Sequence, residues 1–309
     1  MKYILNDIVF DVNKKNCEYE TIKYCLDYSY KNYYTSAELF LLTGGLEFEF
    51  LTNDRTLGYN SLKTMGELLH KYVAPFIEWY KPKTMEEKIM LIENTLKNQS
   101  PATLYVKAEG LIYQHFSEKR YPYHIVNVYG IDTDSKEVYI ADLFVNDEKK
   151  THTMIDKFPW EVILENTLEI IIYRRKKDLV IENQYEDIIL ENLTKFLVNK
   201  ILLIDEYFKG LNCIHDLHYK INSITSTRWL FIPIFEFINE YTMDATDKKT
   251  KEMLNNLVEK WKYMMLRYTK LCFVDVEMDI YSKLDIFSIL NETREVITKI
   301  ICVLEGKNE

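Results

Sequence analysis

The stretch YHIVNVYGIDTDSKEVYIAD, residues 123–142, decides the fold of the N-terminal part of the chain. The segment 132–136 is rich in turn-forming residues. On each side of it lies a run rich in β-branched and aromatic residues, as in a strand. This pattern is typical of an antiparallel hairpin. Centring the turn near residues 133–134 pairs residues whose numbers sum to about 266–268. This register predicts His124 opposite or next to Asp142, roughly 5 Å apart at Cβ if both side chains share a face.

An aspartate beside an imidazole fixes the tautomer of the ring and supports its positive charge. His124 and Asp142 therefore form the orienting half of a catalytic triad, which needs a nucleophile on the other side of the ring. From spacing alone, the alternative stays open that the two side chains only form a structural hydrogen bond, as a histidine beside an aspartate often does.

The stretch NKKNCEYETI, residues 13–22, offers that nucleophile. Asn16 is a candidate N-cap, which places Cys17 on the first turn of a helix, where unpaired amide groups favour a thiolate. Glu18 and Glu20 oppose the thiolate by their charge. A thiolate–imidazolium pair of Cys17 and His124 is the arrangement that nucleophilic cysteine catalysis requires, although a lone cysteine is often only a buried apolar residue.

The remaining pattern predicts an α+β fold with mostly helices in the C-terminal part. We expect an N-terminal domain over residues 1–178 and a helical domain over residues 179–309, with the charge run at 174–178 as the boundary. Strands are predicted at 46–51, 102–107, 123–130, 137–142 and 168–174. Helices are predicted from residue 17 and at 36–42, 61–80, 84–97, 184–209, 227–242, 246–269 and 284–305. Thr84 with Glu87 three residues on has the spacing of a capping box at the start of the helix over 84–97.

Composition excludes several classes of protein. A net charge of −9 argues against binding to nucleic acid, which needs clustered basic residues. The chain starts without the apolar core of a signal peptide, and no apolar run approaches the roughly 20 residues that span a bilayer. Five widely spaced cysteines without an export signal indicate reduced thiols and a cytoplasmic protein.

Other candidate sites are weaker. Cys213, His215 and His218 lie within six residues and could hold a metal, but no second ligand cluster accompanies them. Gly44 and Gly45 lack the following Lys-Ser/Thr of a phosphate-binding loop and predict a tight turn instead. We therefore expect no metal and no bound cofactor.

Several stretches together resemble the N-terminal family of butirosin-biosynthesis acyltransferases, over roughly residues 10–175. They are Asn16-Cys17 at a helix start, SAELF with GGLEF at 36–48, YHIVNVYG at 123–130 and VYIAD at 138–142. The resemblance implies a domain of the papain-like cysteine protease type, with the cysteine on an N-terminal helix and the histidine and aspartate on an antiparallel sheet. It assigns the catalytic roles to Cys17, His124 and Asp142.

The resemblance also implies an activity. Members of this family take an acyl group from the phosphopantetheine arm of a carrier protein and pass it to an amine. We expect acyl or peptidyl carrier proteins and a small amine as partners, in a thiotemplated natural-product pathway, with no membrane or nucleic acid involved. Two alternatives stay open: a cysteine hydrolase (peptidase or thioesterase) with the same triad, and a non-catalytic carrier-protein docking protein.

One position departs from the papain-type pattern. Those enzymes carry a glutamine some six residues before the cysteine to complete the oxyanion hole, and here that place is Asp11. An ionised carboxylate cannot donate a hydrogen bond. Asn13 and Asn16 are the nearby amides that could substitute, together with the backbone N–H of Cys17.

Overall fold

The computed structural model describes residues 1–6, 17–30, 34–50, 57–59, 67–73, 77–111, 113, 123–146, 151–174, 185–211, 217–274 and 285–306. The chain forms two compact units. The first comprises Met1–Leu39 with Leu69–Ile181, and the second comprises Phe40–Leu68 with Glu182–Glu309. Compactness alone does not define a domain that folds by itself, so the division into residues 1–178 and 179–309 stays a prediction.

The first unit is built on a seven-stranded antiparallel sheet in the order β4-β9-β5-β6-β7-β8, with β1 beside β6. Its strands are β1 (Lys2–Ile4), β4 (Ile77–Tyr80), β5 (Ala102–Lys107), β6 (Tyr123–Asp132), β7 (Glu137–Asn146), β8 (Thr151–Pro159) and β9 (Thr167–Tyr173). The helices and the antiparallel sheet confirm the α+β class. Strands β5, β6, β7 and β9 confirm four of the predicted strands, while β1 and β8 were not predicted.

The hairpin of β6 and β7 has the predicted register in its middle. Asn127 pairs with Ala141 and Val128 with Ile140, so both pairs sum to 268. A bulge between Val128 and Gly130 then shifts the register toward the turn. Because side chains alternate along a strand, the pairing determines which residues of β6 and β7 share a face.

The two faces of this sheet are covered by different helices. One face, which we call the α3 face, carries Val106, Val126 and Ile140 and packs against α3 (Met85–Lys97) and α4 (Trp160–Leu164). The opposite face, which we call the α1 face, packs against α1 (Cys17–Tyr30). The sheet is therefore buried on both sides, which is why its central strands are nearly continuous apolar runs.

The predicted helix starts in this unit have mixed outcomes. Helix α1 begins at Cys17, as predicted. Helix α3 begins with the predicted capping box, in which Thr84 and Glu87 exchange side-chain and backbone hydrogen bonds. The helix predicted over 61–80 is wrong at its end, because residues 77–80 form β4 and pair with β9. Residues 67–73 are helical and end in a π-helix, Leu69–Val73.

The second unit contains the hairpin of β2 (Phe48–Phe50) and β3 (Leu57–Tyr59) and most of the helices. The boundary between the units falls within α2 (Ser36–Leu42). The other helices of this unit are α5 (Tyr185–Lys195), a π-helix (Phe196–Lys200), α6 (Ile201–Leu211), α7 (Leu217–Thr242), α8 (Lys248–Val274) and α9 (Ile286–Leu304). The predicted helical character of the C-terminal part is confirmed, although α7 begins ten residues earlier than predicted.

Aromatic packing holds the second unit together. Phe231 and Phe235 of α7 contact Trp261 of α8 with ring centroids 5.4 and 5.1 Å apart, and all three side chains are buried. The predicted tight turn at the two glycines is confirmed: Gly44 has φ of +91°, and the backbone of Gly45 lies against the ring of Phe40. Among the helices that the structure describes, none is both long and apolar enough to cross a membrane.

Candidate functional site

The centre of the candidate site is a buried pair of side chains on neighbouring strands. His124, at the start of β6, and Asp142, on β7, are 4% and 0% exposed. The Nε2 atom of His124 lies 2.9 Å from both carboxylate oxygens of Asp142. The predicted contact between these two side chains is therefore present, with Nε2 as the nitrogen that faces the carboxylate.

Tyr113 also contacts the carboxylate of Asp142. Its hydroxyl donates a hydrogen bond of 3.2 Å to Oδ2 of Asp142, and its ring packs against Phe158 of β8 at a centroid distance of 5.2 Å. Burial and the negative charge of Asp142 both raise the pKa of the Tyr113 phenol. The phenol therefore keeps its proton throughout the physiological range and acts as a donor. Tyr113 was not predicted, because it lies outside the hairpin that brings His124 and Asp142 together.

The pair projects from the α3 face of the sheet. His124 pairs with Val106 across β5 and β6, and its alternation partner Val126 belongs to the core on that face. Helix α1 packs on the opposite face, where Cys25 contacts Asn127. A group at the start of α1 can therefore reach His124 only by passing around the N-terminal end of β6.

The first turn of α1 does lie near that end. Burial raises the pKa of the Glu18 carboxyl to about 7, and the positive charge of protonated His124 offsets part of that rise. A carboxyl with a pKa of about 7 carries about half of its charge at neutral pH. The prediction that Glu18 opposes a thiolate at Cys17 stays a prediction, and a half-protonated carboxyl would oppose it less than a fully ionised one.

The other predicted site residues lie outside what the structure describes. Cys17 is the first residue of α1, but its side chain is outside the described set, as are residues Asp11, Asn13 and Asn16. The role of Cys17 as nucleophile and the composition of the oxyanion hole stay predictions.

Cys25, the other cysteine of α1, is excluded as a nucleophile by its surroundings. The Sγ atom of Cys25 lies 3.0 Å from Oδ1 of Asn127 and 3.3 Å from Oγ1 of Thr103, in a fully buried cluster under α1. The hydroxyl groups of Thr103 and Tyr173 also form a hydrogen bond, and the side-chain amide of Asn127 donates a hydrogen bond to the backbone carbonyl of Thr21. Burial raises the pKa of the Cys25 thiol to about 12, so it stays protonated and holds α1 on the sheet.

The side chains of the candidate metal site lie outside the described set. Cys213 and His215 lie outside the described residues, and so does the side chain of His218. In the parts of the chain that are described, no group of three or more His, Cys, Asp and Glu side chains is arranged to hold a metal ion.

Comparison of the chain with protein-family models and with curated proteins found no match. What the fold and the site define is an α+β protein with a buried His–Asp pair at the end of an antiparallel sheet. The resemblance to the butirosin-biosynthesis acyltransferases rests on the sequence stretches quoted above.

Proposed function

We propose that the protein is an amide-forming acyltransferase with a papain-like cysteine centre, in which Cys17 is the nucleophile, His124 the acid and base, and Asp142 the residue that orients His124. The observation that carries the proposal is the contact of His124 Nε2 with both oxygens of the buried Asp142. This contact fixes the orientation of the imidazole ring, and in the proposal the other ring nitrogen, Nδ1, exchanges the proton with Cys17.

The position of α1 supports the choice of nucleophile. Cys17 starts this helix, where the backbone amides favour an anion. The next residue, Glu18, is close enough to His124 to interact with its charge. The start of α1 and the start of β6 are therefore neighbours, although α1 and His124 belong to opposite faces of the sheet.

The reaction proceeds in two steps. The Cys17 thiolate attacks the carbonyl carbon of a carrier-bound thioester, the new acyl–sulfur bond forms, and the carrier thiol leaves with a proton from the His124 imidazolium. An amine then attacks the acyl–Cys17 carbonyl, gives its proton to His124, and the amide leaves as Cys17 returns to the thiolate. Exchange of one thioester for another is nearly balanced in energy, so the enzyme must mainly position the amine and exclude water.

The test is intact-mass analysis after mixing with an acylated carrier protein. The proposal predicts an adduct of one acyl group on the wild-type protein, no adduct on Cys17→Ala, and discharge of the adduct as an amide when amines are added. Cys25→Ala is the matched control, because it removes a buried thiol that takes no part in the reaction. The absence of an adduct on the wild-type protein, or an undiminished adduct on Cys17→Ala, contradicts the proposal.

The two alternatives give different results in the same experiment. A cysteine hydrolase forms the adduct but releases the free acid at the same rate with and without amine. A carrier-protein docking protein binds the carrier without an adduct, and its His124–Asp142 pair serves only to join β6 to β7.

A further inference from the structure

We infer that Tyr113 is a positioning residue of the proposed catalytic centre: its hydroxyl holds the Asp142 carboxylate and lowers the affinity of the His124–Asp142 pair for a proton. This inference deepens the proposed function and rests on it for its catalytic meaning. The geometric part concerns only the three side chains and can be tested by itself.

The described contacts of Asp142 include donors of two different kinds. His124 Nε2 lies 2.9 Å from each oxygen, while the Tyr113 hydroxyl reaches Oδ2 alone at 3.2 Å. Asp142 is fully buried, so these donors replace the water that would otherwise solvate its charge. The ring of Tyr113 packs against that of Phe158, a contact independent of Asp142 that restricts where the hydroxyl can lie.

The effect on the proton follows from the net charge of the pair. With His124 protonated, the pair is neutral overall, and the imidazolium already stabilises the carboxylate. After the proton has left, neutral His124 can still donate its Nε2–H but no longer supplies a positive charge, so the pair carries a net negative charge and gains more from the Tyr113 hydroxyl. Tyr113 therefore stabilises the deprotonated pair more than the protonated pair, whichever atom held the proton.

Among the described side chains outside β6 and β7, those of Tyr113 and Glu18 are titratable groups that act on the pair, and the proposed nucleophile Cys17 would be a third. Tyr113 comes from the segment that follows β5, and its phenol keeps its proton because burial and Asp142 raise its pKa. Glu18 comes from α1, and its charge favours the protonated form of His124. The Glu18 carboxylate raises the proton affinity of the His124–Asp142 pair, and the Tyr113 hydroxyl lowers it. Tyr113 therefore limits how tightly His124 holds its proton. An imidazolium that is too weak an acid would protonate the departing carrier thiol poorly.

The test is an NMR titration of the His124 imidazole in the full-length protein, with the signal assigned from its loss in His124→Gln. Tyr113→Phe keeps the ring and removes only the hydroxyl. We expect this variant to raise the apparent pKa of the pair by about 0.5–1 unit. Such a shift corresponds to only part of the free energy of a hydrogen bond to a charged group, because the hydroxyl also stabilises the protonated pair to some extent. Tyr113→Met, which also lacks the donor, should shift the pKa in the same direction.

Tyr80→Phe is the matched control, because the Tyr80 hydroxyl also donates to a carboxylate, that of Glu78 on the edge strand β4. This variant should leave the titration of His124 unchanged. An unchanged or lowered pKa in both Tyr113 variants overturns the inference, as does an equal rise in Tyr80→Phe. Failure of the proposed function appears elsewhere, as a missing acyl adduct in the wild-type protein, and leaves the expected pKa shift intact.

Discussion

Removal of either member of the His124–Asp142 pair should destabilise the first unit strongly, and removal of both should cost much less than the two changes added together. In His124→Ala, the Asp142 carboxylate stays buried and loses the donor that contacts both of its oxygens at 2.9 Å. In Asp142→Ala, the His124 Nε2 atom and the Tyr113 hydroxyl lose their shared acceptor. Each single variant therefore takes a close hydrogen-bond partner away from a buried polar group.

The expected magnitudes follow from this burial. Breaking a buried pair by removing one partner typically costs about 3–5 kcal/mol, because the remaining group is uncompensated. The double variant creates a cavity but leaves no charge behind. We therefore expect a coupling energy of about 2–3 kcal/mol between the two positions in a double-mutant cycle.

The assay is urea denaturation read by hydrogen exchange of peptides from β6 and β7, which reports on the first unit even if the second unfolds separately. The ion pair of Lys157 and Glu137, 2.7 Å apart on the solvent-exposed side of β7 and β8, is the control cycle and should show far weaker coupling. The prediction is refuted if each single variant lowers the free energy of unfolding by less than about 1 kcal/mol, or if the effects of the two single variants add up to that of the double variant.

Three further predictions follow from other parts of the structure. Because the folded pKa of Glu18 is about 7 against an ordinary 4.5, the native protein loses stability as the pH rises through this interval. Glu18→Gln should therefore raise the free energy of unfolding at pH 8 by about 1–2 kcal/mol, discounted for partial exposure, with no gain at pH 4. Iodoacetamide at pH 8 should alkylate the partly exposed Cys302 and spare the buried Cys25, as read by peptide mass spectrometry. Gly45→Ala places a Cβ 2.5 Å from the Phe40 ring and should lower stability in thermal denaturation by about 1–3 kcal/mol.

The elements that the sequence predicted well are those with local signals. The capping box of Thr84 and Glu87 and the turn at 132–136 each specify structure within a few residues. Strand β4 was mistaken for helix because its four residues directly follow a helical pattern, and only pairing with β9 makes them a strand. Strand β8 was missed because it lies at the edge of the sheet and exposes Asp156 and Lys157.

The candidate site was predictable only where one hairpin encodes it. His124 and Asp142 are 18 residues apart and meet through a two-strand register. The hydrogen bond from Tyr113 and the cluster of Cys25 with Asn127 depend on how separate segments pack, which no spacing rule gives. That α1 and His124 lie on opposite faces of the sheet likewise becomes visible only in the folded protein, since alternation along β6 does not say which helix covers which face.

The most direct test of the account is the pH dependence of Cys17 alkylation by iodoacetamide, followed by mass spectrometry of the peptide that contains it. If His124, held by Asp142, activates Cys17, the wild-type rate should persist well below the ordinary cysteine pKa of about 8.5. In His124→Ala the rate should fall away near that value. Superimposable profiles for the two proteins would contradict the central claim that Cys17 and His124 form one catalytic centre.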